Sequence, residues 1–264
     1  MPGRLGDKRC VIVGAGGIGV AAARRFLEEG ARLVLADRDA ARDSALPQVP
    51  FVVCDATDEG QVDHLFAVAV QLHGGLDVLY HVAGMSGRRF GDGPLHDCTL
   101  EGWRATLDAN ATSTFLTNRA AVRHFLDRRQ PGVILNMASV LALSPSPRFF
   151  DISAYAAAKG AIIALSRQTA ARYAGDGIRV NVLAPGLIDT PMAARAVQDP
   201  AILAFLQSKQ PLTGGPGTPD QLSDAAVFLC GDEARLITGA VLPIDGGWCV
   251  AEGQYGQPGA AALQ

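Results

Sequence analysis

Lysine is nearly absent from this chain: only Lys8, Lys159 and Lys209 stand against twenty arginines in 264 residues. A lysine beside another reactive side chain is therefore a rarer coincidence than usual. Cysteine is also sparse, with five residues at 10, 54, 98, 230 and 249, odd in number and without a CxxC pair. That excludes a disulfide framework or a zinc finger as an organising device and points to a reduced, cytoplasmic setting. The five histidines, at 64, 73, 81, 96 and 124, show no HExxH or other ligand spacing, so no catalytic metal is expected. No serine sits in a GxSxG elbow, which argues against an α/β-hydrolase. Long apolar runs are missing too. The longest uncharged stretch, residues 130–147, carries three prolines and cannot span a membrane, and the N-terminal MPGRLGDKRC lacks the apolar region of a signal peptide. A net charge of -3 gives no reason to expect nucleic acid or an anionic membrane as partner.

What is present is a core. Hydrophobic residues make up 48% of the chain and charged ones 19%, and no linker-like stretch divides residues 1–264, so one globular domain is expected. Apolar runs of strand length fall at 9–13, 32–36, 51–54, 77–82, 133–137, 179–183 and 240–244. Their continuous apolar character suits a parallel sheet covered on both faces. Helical patterns lie between them. In the one at 58–72, Val62, Leu65, Phe66, Ala69 and Val70 share a face, with Thr57 as the expected N-cap. Repeated strand–helix–strand order predicts an α/β fold: a single Rossmann-type, doubly wound parallel sheet of about seven strands, with ligands outside the carboxyl ends of its strands.

Two motifs fall at such ends. GAGGIG follows the first strand, and Gly14, Gly16 and Gly19 satisfy GxGxxG, with Gly17 and Ile18 between them. Glycines there permit a tight turn and close approach of backbone to a pyrophosphate, while the following helix N-terminus offers free N–H groups. Asp37, eighteen residues beyond Gly19, stands where an acid can accept hydrogen bonds from an adenosine ribose. Its carboxylate would repel a 2′-phosphate, so NAD is preferred to NADP, although Arg38 next to it can receive such a phosphate.

The second motif is YAAAK. Tyr155 and Lys159 lie one helical turn apart, with Ser153 as the expected N-cap. With the ammonium about 4 Å from the phenol, the attraction at an effective dielectric near 20 is roughly 4 kcal/mol, or about three pKa units. That would bring a tyrosine towards neutrality and make it a usable acid or base. Ser139, ending the strand-like VILNMAS, is expected nearby.

In this order of motifs the chain resembles the short-chain dehydrogenase/reductases over roughly residues 9–247. The segments that carry the resemblance are the glycine turn, Asp37, CDATD at 54–58, LDVLYHVAG at 76–84, DANATSTF at 108–115, NMAS at 136–139, YAAAK at 155–159, RVNVLAPGLIDTPM at 179–192 and ITGAVLPIDGG at 237–247. The resemblance implies a catalytic tetrad of Asn110, Ser139, Tyr155 and Lys159. Tyr155 would exchange a proton with the substrate oxygen while hydride passes to or from nicotinamide, and Ser139 would hydrogen-bond the same oxygen. Lys159 would bond the nicotinamide ribose and lower the tyrosine pKa, and Asn110 would hold a water linking lysine to solvent. It also places Asp55 and Ala56 by the adenine, Ala83 and Gly84 behind the adenosine ribose, and Pro185, Gly186, Ile188 and Thr190 around the nicotinamide.

The departures from the family pattern are as informative. Val13 replaces the usual threonine, and His81 the first asparagine of NNAG, where it is expected to restore a bond between adjacent strands. The stretch between Ser139 and Tyr155 is about three residues longer than usual and carries Arg148, Phe149 and Phe150, either as a surface loop or as a wall of the substrate pocket. Residues 187–217 suit a substrate lid. The tail 248–264, with Trp248 and Tyr255, is either disordered or loosely packed beyond Gly256 or reaches a neighbouring subunit, since family members are commonly tetramers or dimers; a homotetramer is favoured. The expected activity is NAD-dependent oxidation of a small-molecule secondary alcohol to a ketone. NADPH-dependent reduction of a ketone or 3-oxoacyl group and a non-catalytic dinucleotide sensor are the alternatives.

Overall fold

The computed structural model describes residues 3–252. Seven parallel strands form one sheet: β1 (Arg9–Val13), β2 (Arg32–Asp37), β3 (Phe51–Val53), β4 (Val78–His81), β5 (Gly132–Met137), β6 (Ile178–Pro185) and β7 (Val241–Ile244), in the order β3-β2-β1-β4-β5-β6-β7. The strand order reverses between β1 and β4, whose register pairs Val13 with His81, and a crevice opens at such a reversal. The expected strands are all present. Their ends move by one or two residues because hydrogen bonding, rather than apolarity, decides where pairing stops.

Alternation along β1 explains the layers. Cys10 and Ile12 point to one face and pack with Phe26 of α1 (Gly17–Glu28) and Val227 of α9 (Pro219–Cys230). Val11 and Val13 point to the other, among Leu65 of α2 (Glu59–His73) and Phe125 of α4 (Ser113–Asp127). The second layer is completed by α6 (Ser153–Tyr173). A helix α3 (Leu100–Leu107) runs through one π-turn at Asp108–Thr112 into α4, while short α5 (Pro147–Phe150), α7 (Ala194–Val197) and α8 (Pro200–Lys209) lie above the strand ends.

Two caps differ from expectation. Asp58, not Thr57, caps α2, its carboxylate accepting from Gln61 N at 2.9 Å; the Thr57 hydroxyl instead donates to Asp55 at 2.7 Å. Ser153 is the first residue of α6 rather than its cap. The cap comes from far away in sequence, as described below.

One core position conflicts with its surroundings. Tyr80 is fully buried and stacks on Phe26, with ring centroids 6.0 Å apart, yet its hydroxyl has no protein partner among the described residues. Burying an unpaired hydroxyl is costly. Tyr80→Phe is therefore expected to stabilise the protein by about 1 kcal/mol, read as a higher denaturation midpoint; a loss of that size would mean that the hydroxyl is bonded.

Candidate active site

Two adjoining cavities open at the carboxyl ends of the strands. The first, about 240 Å³, is walled by the turn after β1, the end of β2, residues 54–57 and residues 82–85. Gly14, Gly16, Gly17, Ile18, Gly19, Asp37, Arg38, Asp55, Ala56, Ala83, Gly84 and Thr190 all line it. Gly14 adopts φ +107°, and a Cβ there would lie 2.6 Å from Ala83 N, so only glycine lets the two loops meet. The α1 N-terminus begins after Gly16 without any side-chain cap, leaving its first N–H groups directed to the cavity where an anion is favoured. Asp37 ties the turn to β2: its carboxylate accepts from Ala15 N at 2.8 Å and Asp39 N at 3.0 Å. The glycine cradle, uncapped helix end and carboxylate fit a dinucleotide.

The second cavity, about 400 Å³, adjoins the first and shares Ile18, Val82, Gly84, Thr190 and Met192 with it. Ser139, Tyr155, Lys159, Pro185, Gly186 and Ile188 line it. Tyr155 and Lys159 share one face of α6, the lysine Nζ lying 5.5 Å from the tyrosine ring centre. The Ser139 hydroxyl stands between strand and helix, accepting from Leu141 N at 3.2 Å. Asn110 lines neither cavity. Fully buried in the π-turn, its amide donates to Thr106 O at 2.8 Å and Met85 O at 3.0 Å and accepts from Met85 N at 3.3 Å. A Cβ on Gly84 would lie 2.6 Å from Asn110 Oδ1 and 3.2 Å from Lys159 Nζ, which shows how closely the three residues converge.

The electrostatics of the pair differ from expectation. Burial pushes the Tyr155 phenol up to about 12, against a smaller downward pull from Ser139, and burial brings Lys159 down to about 7. The lysine is only 3% exposed, and its Nζ donates to Met137 O at 3.0 Å. Desolvation outweighs the attraction anticipated from the four-residue spacing, because among the described residues no anionic group accompanies the ammonium.

Asp92 was invisible to sequence reasoning. Its buried carboxylate accepts from Ala154 N at 2.9 Å and Tyr155 N at 3.0 Å, capping α6 from 62 residues away. Asp92→Ala is expected to cost about 1–2 kcal/mol of stability, and to lower kcat more than it raises KM because Tyr155 carries one of the two N–H groups. Unchanged turnover in a destabilised variant would reduce Asp92 to a structural cap.

Arg42 was missed as well. From the 3-10 turn Ala40–Ala45 it donates to Ala15 O at 3.1 Å, lies 3.7 Å from Asp37 Oδ1, and lines the first cavity.

Over residues 13–249 the chain matches the family described as enoyl-(acyl carrier protein) reductase. It is also 36% identical over 96% of its length to 3beta-hydroxysteroid dehydrogenase 1 of Eggerthella lenta, covering 98% of that protein. The chain belongs to the short-chain dehydrogenase/reductase family. A 2,5-dichloro-2,5-cyclohexadiene-1,4-diol dehydrogenase of Sphingobium indicum is 34% identical over 95% of the chain and 99% of its own length. Among solved structures, a 3-ketoacyl-(acyl-carrier-protein) reductase from Brucella melitensis, complexed with NADH, superposes with a TM-score of 0.83 at 29% identity, covering 93% of this chain and 100% of that one. This short-chain dehydrogenase/reductase is thus an oxidoreductase acting on alcohols or ketones with a nicotinamide dinucleotide. No helix among its described residues is long and apolar enough to cross a membrane.

The parts unlike the family behave in three ways. His81 does not tie strand to strand: its ring is bonded to the hydroxyls of Thr117 at 2.9 Å and Ser113 at 3.3 Å on α4, and burial, with Lys159 nearby, brings it down to about 3. In the longer loop, Phe150 lines the second cavity, whereas Phe149 turns onto Phe205 of α8 with ring centres 5.1 Å apart. Trp248 is not free to reach a neighbour. It is 1% exposed, stacks edge-on with Phe150 and Phe205 at 5.7 and 5.8 Å, and donates from Nε1 to Ser144 O at 3.1 Å. Tyr255 lies outside the described residues.

Proposed function

We propose that this short-chain dehydrogenase/reductase is an NAD-dependent dehydrogenase of a secondary alcohol, with Tyr155 as the proton-transferring group. The observation that carries this reading is the convergence of Ser139, Tyr155 and Lys159 on one cavity that adjoins the dinucleotide cradle. The glycine turn and the α1 N-terminus would hold the pyrophosphate, Asp37 the adenosine ribose, Asp55 and Ala56 the adenine, Ala83 and Gly84 the back of that ribose, and Pro185, Gly186, Ile188 and Thr190 the nicotinamide end. The bound cofactor supplies the hydride acceptor. The chain supplies the rest. Ser139 would fix the substrate oxygen by a hydrogen bond, Tyr155 would take its proton, and Lys159 would hold the nicotinamide ribose and support the phenolate. Asn110 holds the 84–85 backbone beside the lysine and supports the proton path from there.

The cavity is walled by Leu141, Phe150, Ile152 and Trp248, which suits a ring-bearing alcohol, as do the names of the hydroxysteroid and cyclohexadiene-diol relatives. Residues 187–217 would act as its lid, within a single domain. A cytoplasmic homotetramer is the assembly proposed. Reduction of a ketone with NADPH is the second reading, favoured by Arg38 and Arg42 beside Asp37. Steady-state assays of purified protein with NAD and NADP against cyclic secondary alcohols test the choice: turnover with NAD supports the first reading, and preference for NADPH with ketones replaces it by the second.

A further inference from the structure

The substrate cavity has a charged mouth that the proposed chemistry does not use. Arg88 and Arg89, on the turn after β4, and Arg195, on α7, all line it, and no aspartate or glutamate does. Among the described residues, none of the three forms an ion pair. Arg88 and Arg195 come from different parts of the chain, yet both donate to one acceptor, the Phe149 carbonyl, at 3.4 Å each. Two guanidiniums meeting on a neutral oxygen repel each other, and among the described residues most of their N–H donors have no protein acceptor. Partial burial, and after it the charge of Arg195, weaken the hold of Arg88 on its proton, and Asp92 and Asp151 offset this only in part. Asp92 already accepts two backbone N–H groups. Arg89, stacked over Phe90 at 4.6 Å, is held in the same rim.

From this arrangement we infer that the substrate is an anionic alcohol: Arg88 and Arg195, with Arg89 beside them, bind an oxyacid group at one end of a molecule whose apolar body lies against Phe150 and Trp248. A planar guanidinium pair recognises carboxylate, sulfonate or phosphate oxygens through charge-assisted, bidentate hydrogen bonds. The anion would supply the counter-charge that the protein leaves out. The arginines line the cavity itself rather than a flat face beside it, which favours a small molecule over an acidic carrier protein. The inference rests on the dehydrogenase reading for the position of the reacting carbon, but not for the binding of the anion.

Calorimetric binding separates the two. Cyclohexanecarboxylate, cyclohexanesulfonate and cyclohexyl phosphate are titrated against the uncharged cyclohexanecarboxamide, with wild type and with Arg88→Gln/Arg195→Gln, both positions being exposed. At least one of the acids is expected to bind about ten- to a hundredfold more tightly than the amide, less so at high salt, and the double variant is expected to lose that preference while keeping its melting temperature. The acid preferred identifies the oxyacid. In turnover, 4-hydroxycyclohexanecarboxylate should show a raised KM in the variant at similar kcat, with cyclohexanol unaffected. Equal binding of acids and amide, or a preference that survives the double substitution, overturns the inference even if cyclohexanol is oxidised. So does an effect of the arginines confined to substrates carried on an acidic protein. Acid binding that depends on the arginines, without turnover of any alcohol, leaves the anion site standing and rejects the dehydrogenase reading instead.

Discussion

Tyr155→Phe is expected to lower kcat by roughly 10²–10⁴-fold, the range associated with removing a positioned acid or base, with little change in the affinity for NAD. The phenol ring itself is retained, so packing against Lys159, at 5.5 Å from the ring centre, should survive. Burial opposes the charged form of both partners, bringing Lys159 down to about 7 and pushing Tyr155 up to about 12. The apparatus is therefore not activated in advance: a polar group must accompany the lysine before its ammonium can stabilise a phenolate. Lys159→Met should consequently reduce both kcat and NAD affinity, whereas Tyr155→Phe reduces kcat alone. Stopped-flow binding of NAD beside steady-state turnover distinguishes the two patterns. More than a tenth of wild-type turnover in Tyr155→Phe would remove the tyrosine from the chemistry.

The contrast between what the chain's pattern discloses and what it hides follows the range of the interactions. Strands and the glycine turn are local. Val11 and Val13 face one layer and Cys10 and Ile12 the other because side chains alternate, and Gly14 can take φ +107° because it has no Cβ. YAAAK discloses a shared helical face for the same reason. Asp92 shows nothing of its cap, since its two acceptor bonds join positions 62 and 63 residues apart. His81 reads as a substitute for a strand-to-strand bond, yet its ring turns to α4, where Thr117 and Ser113 offer two hydroxyls. Trp248, which reads as able to reach a neighbouring subunit, is held by Phe150 and Phe205 from two separate segments of its own chain. Spacing on one helix places Tyr155 and Lys159 together but says nothing of their desolvation, and desolvation sets the direction of both pKa shifts.

On the proposed reading, cofactor choice turns on a single carboxylate among cations. Asp37 faces the first cavity between Arg38 and Arg42, and Arg42 Nε lies 3.7 Å from its Oδ1. While the carboxylate is present, it occupies Arg42 and opposes a 2′-phosphate; at an effective dielectric near 20, two like charges about 4 Å apart repel by roughly 4 kcal/mol. Asp37→Asn keeps the shape and one acceptor for Ala15 N but removes the charge. It is expected to weaken NAD by about ten- to a hundredfold, through loss of a charged hydrogen bond. It should also release Arg42 and Arg38 to receive the phosphate, so that the NAD-to-NADP ratio of kcat/KM falls by a hundredfold or more, on the order of the repulsion removed. Adding Arg42→Gln to Asp37→Asn should cancel the gain for NADP without restoring NAD. A wild-type enzyme that already prefers NADP would show instead that Arg38 and Arg42 outweigh Asp37, and would move the protein to the reductive reading.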